Sequence, residues 1–176
     1  MLRQENAQFA QLLASIRDQL ESGSRGTMSA APSAPSSPTG TGSEPGPGNQ
    51  AAVDRFQSAM EQYQLGNYST ARRRFQEVIE QYPMETEISS EAQYKLGEIL
   101  LVEQKPAEAL TAFSQVRQIW PSSRKVPDAV FQVAQIHLDQ GRRDEARRQF
   151  QFVVDNYPNT QAAATAQERL RSIPPG

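Results

Sequence analysis

Three copies of one residue pattern dominate this chain. Ala71, Ala109 and Ala146 lie 38 and 37 residues apart, and the same two intervals separate Phe75, Phe113 and Phe150, then Val78, Val116 and Val153, then Pro83, Pro121 and Pro158. Twelve positions before each alanine stands a small residue (Ala59, Gly97, Ala134), and three earlier again an aromatic one (Phe56, Tyr94, Phe131). A period of this length marks a repeat architecture, in which one unit is too small to bury its own apolar side and a stack of units is not.

Each unit reads as a helical hairpin. The spacing predicts first helices over about 51–65, 88–103 and 127–140, and second helices over about 69–82, 106–119 and 143–157. Gly66 and Gly141 suit the position just past a helix end, where a positive φ is needed. Pro106 suits a first turn, where a missing N–H costs little. Every second helix stops at an aromatic residue followed by proline, because proline disfavours the helical conformation of the residue before it. The small residues let paired helices approach, and the phenylalanines fill the gap between successive pairs. A last segment, 160–172, carries Ala163, Ala166 and Leu170 on one face and caps the stack before Pro174 and Pro175. The fold class is therefore all-α: a solenoid over 51–173, with units at about 51–86, 87–124 and 125–159 and a cap at 160–172.

What precedes the stack has a different composition. Residues 22–50 hold 7 Ser, 6 Gly and 5 Pro. Such a stretch has no apolar face to offset the entropy of ordering it and reads as a disordered linker, reaching roughly 30 Å as a flexible chain. Its presence explains a hydrophobic content of 37%, below the roughly 45–50% of globular chains. Over 1–21, Leu2, Asn6, Phe9, Leu13, Ile16 and Leu20 follow the alternating four-and-three spacing of a coiled-coil seam. Asn6 falls where a buried amide can fix register and oligomeric state. Fewer than three heptads are present, so the segment reads as an oligomerising helix, with a short amphipathic helix that docks elsewhere as the alternative.

Several classes of function are excluded or disfavoured. Eighteen Lys and Arg against 20 Asp and Glu give a net charge of −2, without the concentrated positive charge that nucleic-acid or polybasic membrane binding needs. No apolar run is long enough for a membrane-spanning helix. The N-terminus is polar and shows no export signal as written, which fits either a cytoplasmic chain or a mature or truncated form of a longer precursor. Cysteine is absent and His137 is the single histidine, so no thiolate site or imidazole cluster can be assembled; no cofactor is expected, and the chain reads as a non-enzyme. His137 falls where the preceding unit has Leu100 and is read as a packing residue. Glu85, Glu87, Glu91, Asp144 and Glu145 are read as exposed residues at turns and helix starts.

The small residue, glycine, alanine, phenylalanine and terminal proline at these spacings resemble the tetratricopeptide repeat, over Ala51 to about Pro158. The unit is longer than that family's usual 34 or so residues. Ser58, Gln62 and the Gln104-Lys105 pair depart from its pattern, which has apolar residues at the first two positions and commonly glycine at the third. The whole arrangement of heptad helix, Ser/Gly/Pro-rich linker, three repeats and cap is similar to the Tol-Pal-associated cell division coordinators, the CpoB/YbgF family. That resemblance implies a periplasmic, trimerising scaffold without cofactor that binds a TolA-like Tol component and works alongside a peptidoglycan synthase. It further implies that such a scaffold coordinates outer-membrane constriction with septal wall synthesis during cell division. A generic adaptor of another envelope assembly, such as outer-membrane biogenesis or secretion, is the alternative.

In the frame of that repeat, the first-helix residues facing the groove are Phe56, Met60 and Tyr63, then Tyr94, Glu98 and Leu101, then Phe131, Gln135 and Leu138. An apolar, aromatic-bearing groove fits a protein segment, although the same aromatics could instead close the inter-helix core. The Lys and Asn donors by which some of these repeats clamp a terminal carboxylate are missing there. The clusters Arg72-Arg73-Arg74, Arg142-Arg143 and Arg147-Arg148 fall on second helices and read as a solvated, salt-laced face.

Overall fold

The computed structural model describes residues 47–173. The heptad positions Leu2 to Leu20 and nearly all of the expected linker lie outside the described residues. Seven helices follow one another without a strand among the described residues: α1 (Pro47–Gln64), α2 (Tyr68–Gln81), α3 (Thr86–Val102), α4 (Pro106–Ile119), α5 (Val126–Asp139), α6 (Arg143–Asn156) and α7 (Gln161–Ser172). The first hairpin starts earlier than composition indicates. Pro47 to Gln50 are helical, since proline is tolerated in a first turn where its N–H would have no partner.

Each helix packs on the next, α1 to α7 in order, and α7 also reaches back to α5. Ala71, Ala109 and Ala146 are wholly buried, as are Phe75, Phe113 and Phe150 beside them. Burying one such phenylalanine contributes roughly 1.5–3 kcal/mol, so the three copies form the backbone of the core. On α7, Ala162, Ala163 and Ala166 are buried while Gln167, Glu168 and Arg169 are exposed, which closes that end of the stack.

The turn inside each hairpin is the same device three times. The amide N–H groups of Asn67, Lys105 and Arg142 donate to the carbonyls of Gln62, Leu100 and His137 at 2.8–2.9 Å, and those of Gly66, Gln104 and Gly141 to Tyr63, Leu101 and Leu138 at 2.9–3.0 Å. This double bond pattern needs a left-handed residue between the helices. Gly66, Gln104 and Gly141 have φ of +76°, +61° and +75°, so the middle unit keeps the geometry with a glutamine.

Between hairpins, Tyr82, Trp120 and Tyr157 end the second helices, their N–H groups bonding Val78, Val116 and Val153. The buried Trp120 ties two of these turns together, its indole Nε1 donating to the Pro83 carbonyl at 2.8 Å. Ser90 and Ser123 share a buried hydroxyl contact at 2.7 Å nearby. The departure at Ser58 also has a structural use, because the Arg74 guanidinium reaches over α1 to bond the Ser58 hydroxyl and carbonyl.

Candidate functional site

The first helices α1, α3 and α5 bring equivalent residues side by side on one face. The aromatics expected to anchor a ligand there lean on the second helix of their own unit. Phe56 meets Phe75 at 5.5 Å between ring centroids, Tyr94 meets Phe113 at 5.2 Å and Phe131 meets Phe150 at 5.3 Å. Phe56, Met60 and Tyr94 are buried; Tyr63, Glu98, Leu101, Phe131, Gln135 and Leu138 are half-buried. Leu101 and Leu138 pack against the core. Tyr63 sets its ring edge-on to Tyr68 and Phe75 and directs its hydroxyl to Glu98 Oε2 at 3.3 Å.

The centre of this face is an alternating ladder of charge. Lys95 Nζ lies 2.8 Å from Glu98 Oε2 and 4.0 Å from Glu91 Oε1. Glu91 passes the contact on to Lys125, whose Nζ is 3.0 Å from Glu91 Oε2 and 3.2 Å from Asp128 Oδ2. The side chains of Lys95 and Glu91 are only 8% and 10% exposed. Two ammonium groups flank the Tyr94 ring, with Lys125 Nζ at 4.7 Å and Lys95 Nζ at 5.8 Å from its centroid, and Lys95 also sits 5.3 Å from the Tyr63 ring. Gln132 donates to the Tyr94 hydroxyl at 3.2 Å. Tyr63 on α1, four residues of α3 and the group around Lys125 at α5 thus form one connected polar floor.

Burial pushes the Glu91 carboxyl up, with Lys125 and Lys95 opposing it. Burial also works against the charge on Lys125, but Glu91 and Asp128 outweigh it and raise the ammonium pKa. Ion pairs this deep return little net stability, and breaking one by removing a partner is costly. Their effect here is to hold three first helices in register and to fix the polarity of the face they floor.

Glu91 was expected at an exposed helix start; it is 8% exposed, because α3 is the middle first helix, packed between α2 and α4, with Lys125 from the start of α5 laid against it. Lys95, Lys125, Asp128 and Gln132 were not singled out by sequence reasoning. For all but Lys125 the repeat itself carried a signal: Glu91 and Asp128 are 37 residues apart, as are Lys95 and Gln132, and Lys95 stands four residues after Glu91 and three before Glu98.

The ladder carries three carboxylates, Glu91, Glu98 and Asp128, against two ammonium groups. Beside it, Gln135 Nε2 donates to Asp139 at 2.8 Å while its Oε1 is buried with no donor. The charge imbalance leaves acceptor capacity on this face. No group of three His, Asp or Glu side chains among the described residues could hold a metal ion. His137 is half-buried; burial, with Arg142 and Arg148, holds its pKa below the ordinary value while Glu145 opposes them.

Comparison with known proteins agrees with this fold. Two models of the tetratricopeptide repeat match residues 56–124 and 100–170. The chain belongs to the tetratricopeptide-repeat family. No curated protein matches it. Among solved structures it is similar to the type III secretion translocator chaperone SycD of Yersinia enterocolitica in complex with a peptide of the translocator YopD. Identity there is 20% over 70% of this chain and 89% of the other, with a TM-score of 0.58. PcrH of Pseudomonas aeruginosa gives 20% identity over 70% and 92%, TM-score 0.58, and the Arabidopsis OM64 repeat domain 16% over 70% and 96%, TM-score 0.55. The periplasmic placement expected from the division-coordinator resemblance is corrected by these findings, since the solved chains it resembles include the type III secretion chaperones SycD and PcrH.

Proposed function

We propose that the chain is an adaptor of a secretion-type assembly that seats a segment of a partner protein along the face of α1, α3 and α5, and that the segment presents a cationic side chain or N–H donors to the ladder. The observation that carries this reading is the excess of carboxylate over ammonium along a ladder whose centre, Lys95, Glu91 and Glu98, is largely desolvated. In low-dielectric surroundings an opposite charge is bound far more strongly than in water. The fold shared with SycD, solved with a YopD peptide, and with PcrH, solved with the chaperone-binding region of PopD, supports a seated segment.

A second reading keeps the division-coordinator partners, a TolA-like Tol component and a peptidoglycan synthase, with a trimer formed through the seam Leu2, Asn6, Phe9, Leu13, Ile16 and Leu20. The order of heptad helix, linker and repeats in the sequence favours it. Calorimetric titration of the full chain against a TolA domain and against a PopD-type chaperone-binding segment separates the two. Binding of the PopD-type segment alone supports the first reading, and binding of TolA alone supports the second. In either case Glu98→Lys, which reverses the local charge balance, is expected to weaken binding at least about tenfold. Binding of neither would remove both.

A further inference from the structure

The opposite face of the solenoid carries a site that the ladder does not use. An open cleft of about 410 Å³ lies between the parallel second helices α2 and α4, with α3 as its floor. Leu96 and Leu100 form the apolar bottom, and Ile79 on α2 and Gln115 on α4 stand on facing walls. Glu80 and Glu108 sit on the rim, both exposed. Neither makes an ion pair or a hydrogen bond, whereas the rim cation, Arg72, is taken by Glu103 at 3.3 Å.

The next junction along the stack, between α4 and α6, shows how an equivalent place is covered. Advancing Ile79 by 38 residues gives Arg117, and advancing Gln115 by 37 gives Phe152. There the Arg117 guanidinium lies 4.8 Å from the centroid of the Phe152 ring, and Phe152 packs on the core. An aromatic ring capped by a cation bridges those two second helices. In the α2/α4 junction the same two positions hold isoleucine and glutamine, so neither half of the pair is supplied and the cleft stays open.

We infer that the α2/α4 cleft is a docking site for a partner segment in which an aromatic residue is flanked by basic ones. The ring takes the place over Leu96 and Leu100 that Phe152 fills in the neighbouring unit, and the basic side chains meet Glu80 and Glu108. Aromatic anchors in a desolvated pocket with charge at the rim are a common form of such recognition. The site is independent of the ladder, and a partner could engage both faces at once.

The probe is a short acetylated, amidated peptide with one Phe between lysines, titrated into the full chain and followed by methyl and side-chain amide NMR. Shifts are expected at the Leu96 and Leu100 methyls and the Gln115 amide, and are expected to vanish in the Ile79→Arg/Gln115→Phe double variant, which installs the neighbouring pair. Glu80→Lys/Glu108→Lys is expected to weaken binding at least about tenfold, and decides the question if the first variant does not fold. Peptides with Ala for Phe, or Glu for Lys, are expected not to bind. No shift at these residues up to about 10 mM peptide, equal binding by either control peptide, or full binding by the charge-reversed variant overturns the inference.

Discussion

At the scale of single residues, the middle unit is the tightest. A Cβ built on Gly97 would lie 2.6 Å from the Phe113 ring, whereas Ala59 and Ala134 carry their methyl groups at the equivalent positions beside Phe75 and Phe150. Gly97→Ala should therefore cost about 2 kcal/mol through overpacking, read as a lower urea midpoint with an unchanged slope. His137 adds a pH dependence. Its pKa is lowered in the folded chain relative to the ordinary 6.5, so as the pH falls the unfolded chain takes up a proton first. Stability is full above the ordinary value, falls as the pH drops through it, and stops falling once the folded imidazole protonates. Melting curves between neutral and mildly acid pH should show this loss, and His137→Gln should remove that part of it. A slope unaltered by the substitution would contradict the assignment.

At the scale of elements, the hairpin turns lend themselves to a test, because three copies of one geometry carry two kinds of residue. Gln104 holds φ +61° where its counterparts are glycines. A left-handed non-glycine residue costs roughly 1–2 kcal/mol, and glycine returns about half of that through unfolded-chain entropy. Gln104→Gly should thus stabilise the fold by about 0.5–1 kcal/mol, visible as a raised urea midpoint, while Gly66→Gln should lower it. The same elements show what could be read from the sequence. Helix identity, order and ends were legible to within a few residues, since the Ala/Phe/Val pattern, the glycines and the aromatic-proline stops act locally. The polar floor was not. Glu91 reads as a helix-start acid when only α3 is considered, and its burial follows from being enclosed by neighbouring helices of the stack. Lys125 sits in the connection before α5, where no periodicity marks it. The aromatics Phe56, Tyr94 and Phe131 were placed on the correct helices, but whether a ring faces the groove or the partner helix depends on hairpin packing that spacing alone does not determine.

At the scale of the molecule, the stack separates two surfaces with different chemistry. The face of α1, α3 and α5 is floored by charges that hold successive units in register and leave an excess of acceptors, a surface suited to select a partner segment more than to add stability. The face of α2, α4 and α6 is bridged by Arg117 and Phe152 in one junction and open in the other. Seating a segment on the first surface should slow amide exchange in the helices it covers, because ligand binding suppresses the local openings through which exchange proceeds. Hydrogen–deuterium exchange of the full chain with and without a bound partner segment is the most direct measurement. Added protection concentrated in α1, α3 and α5, and lost with Glu98→Lys, is the predicted result. Protection elsewhere with these three helices unchanged would contradict a binding site on the ladder face.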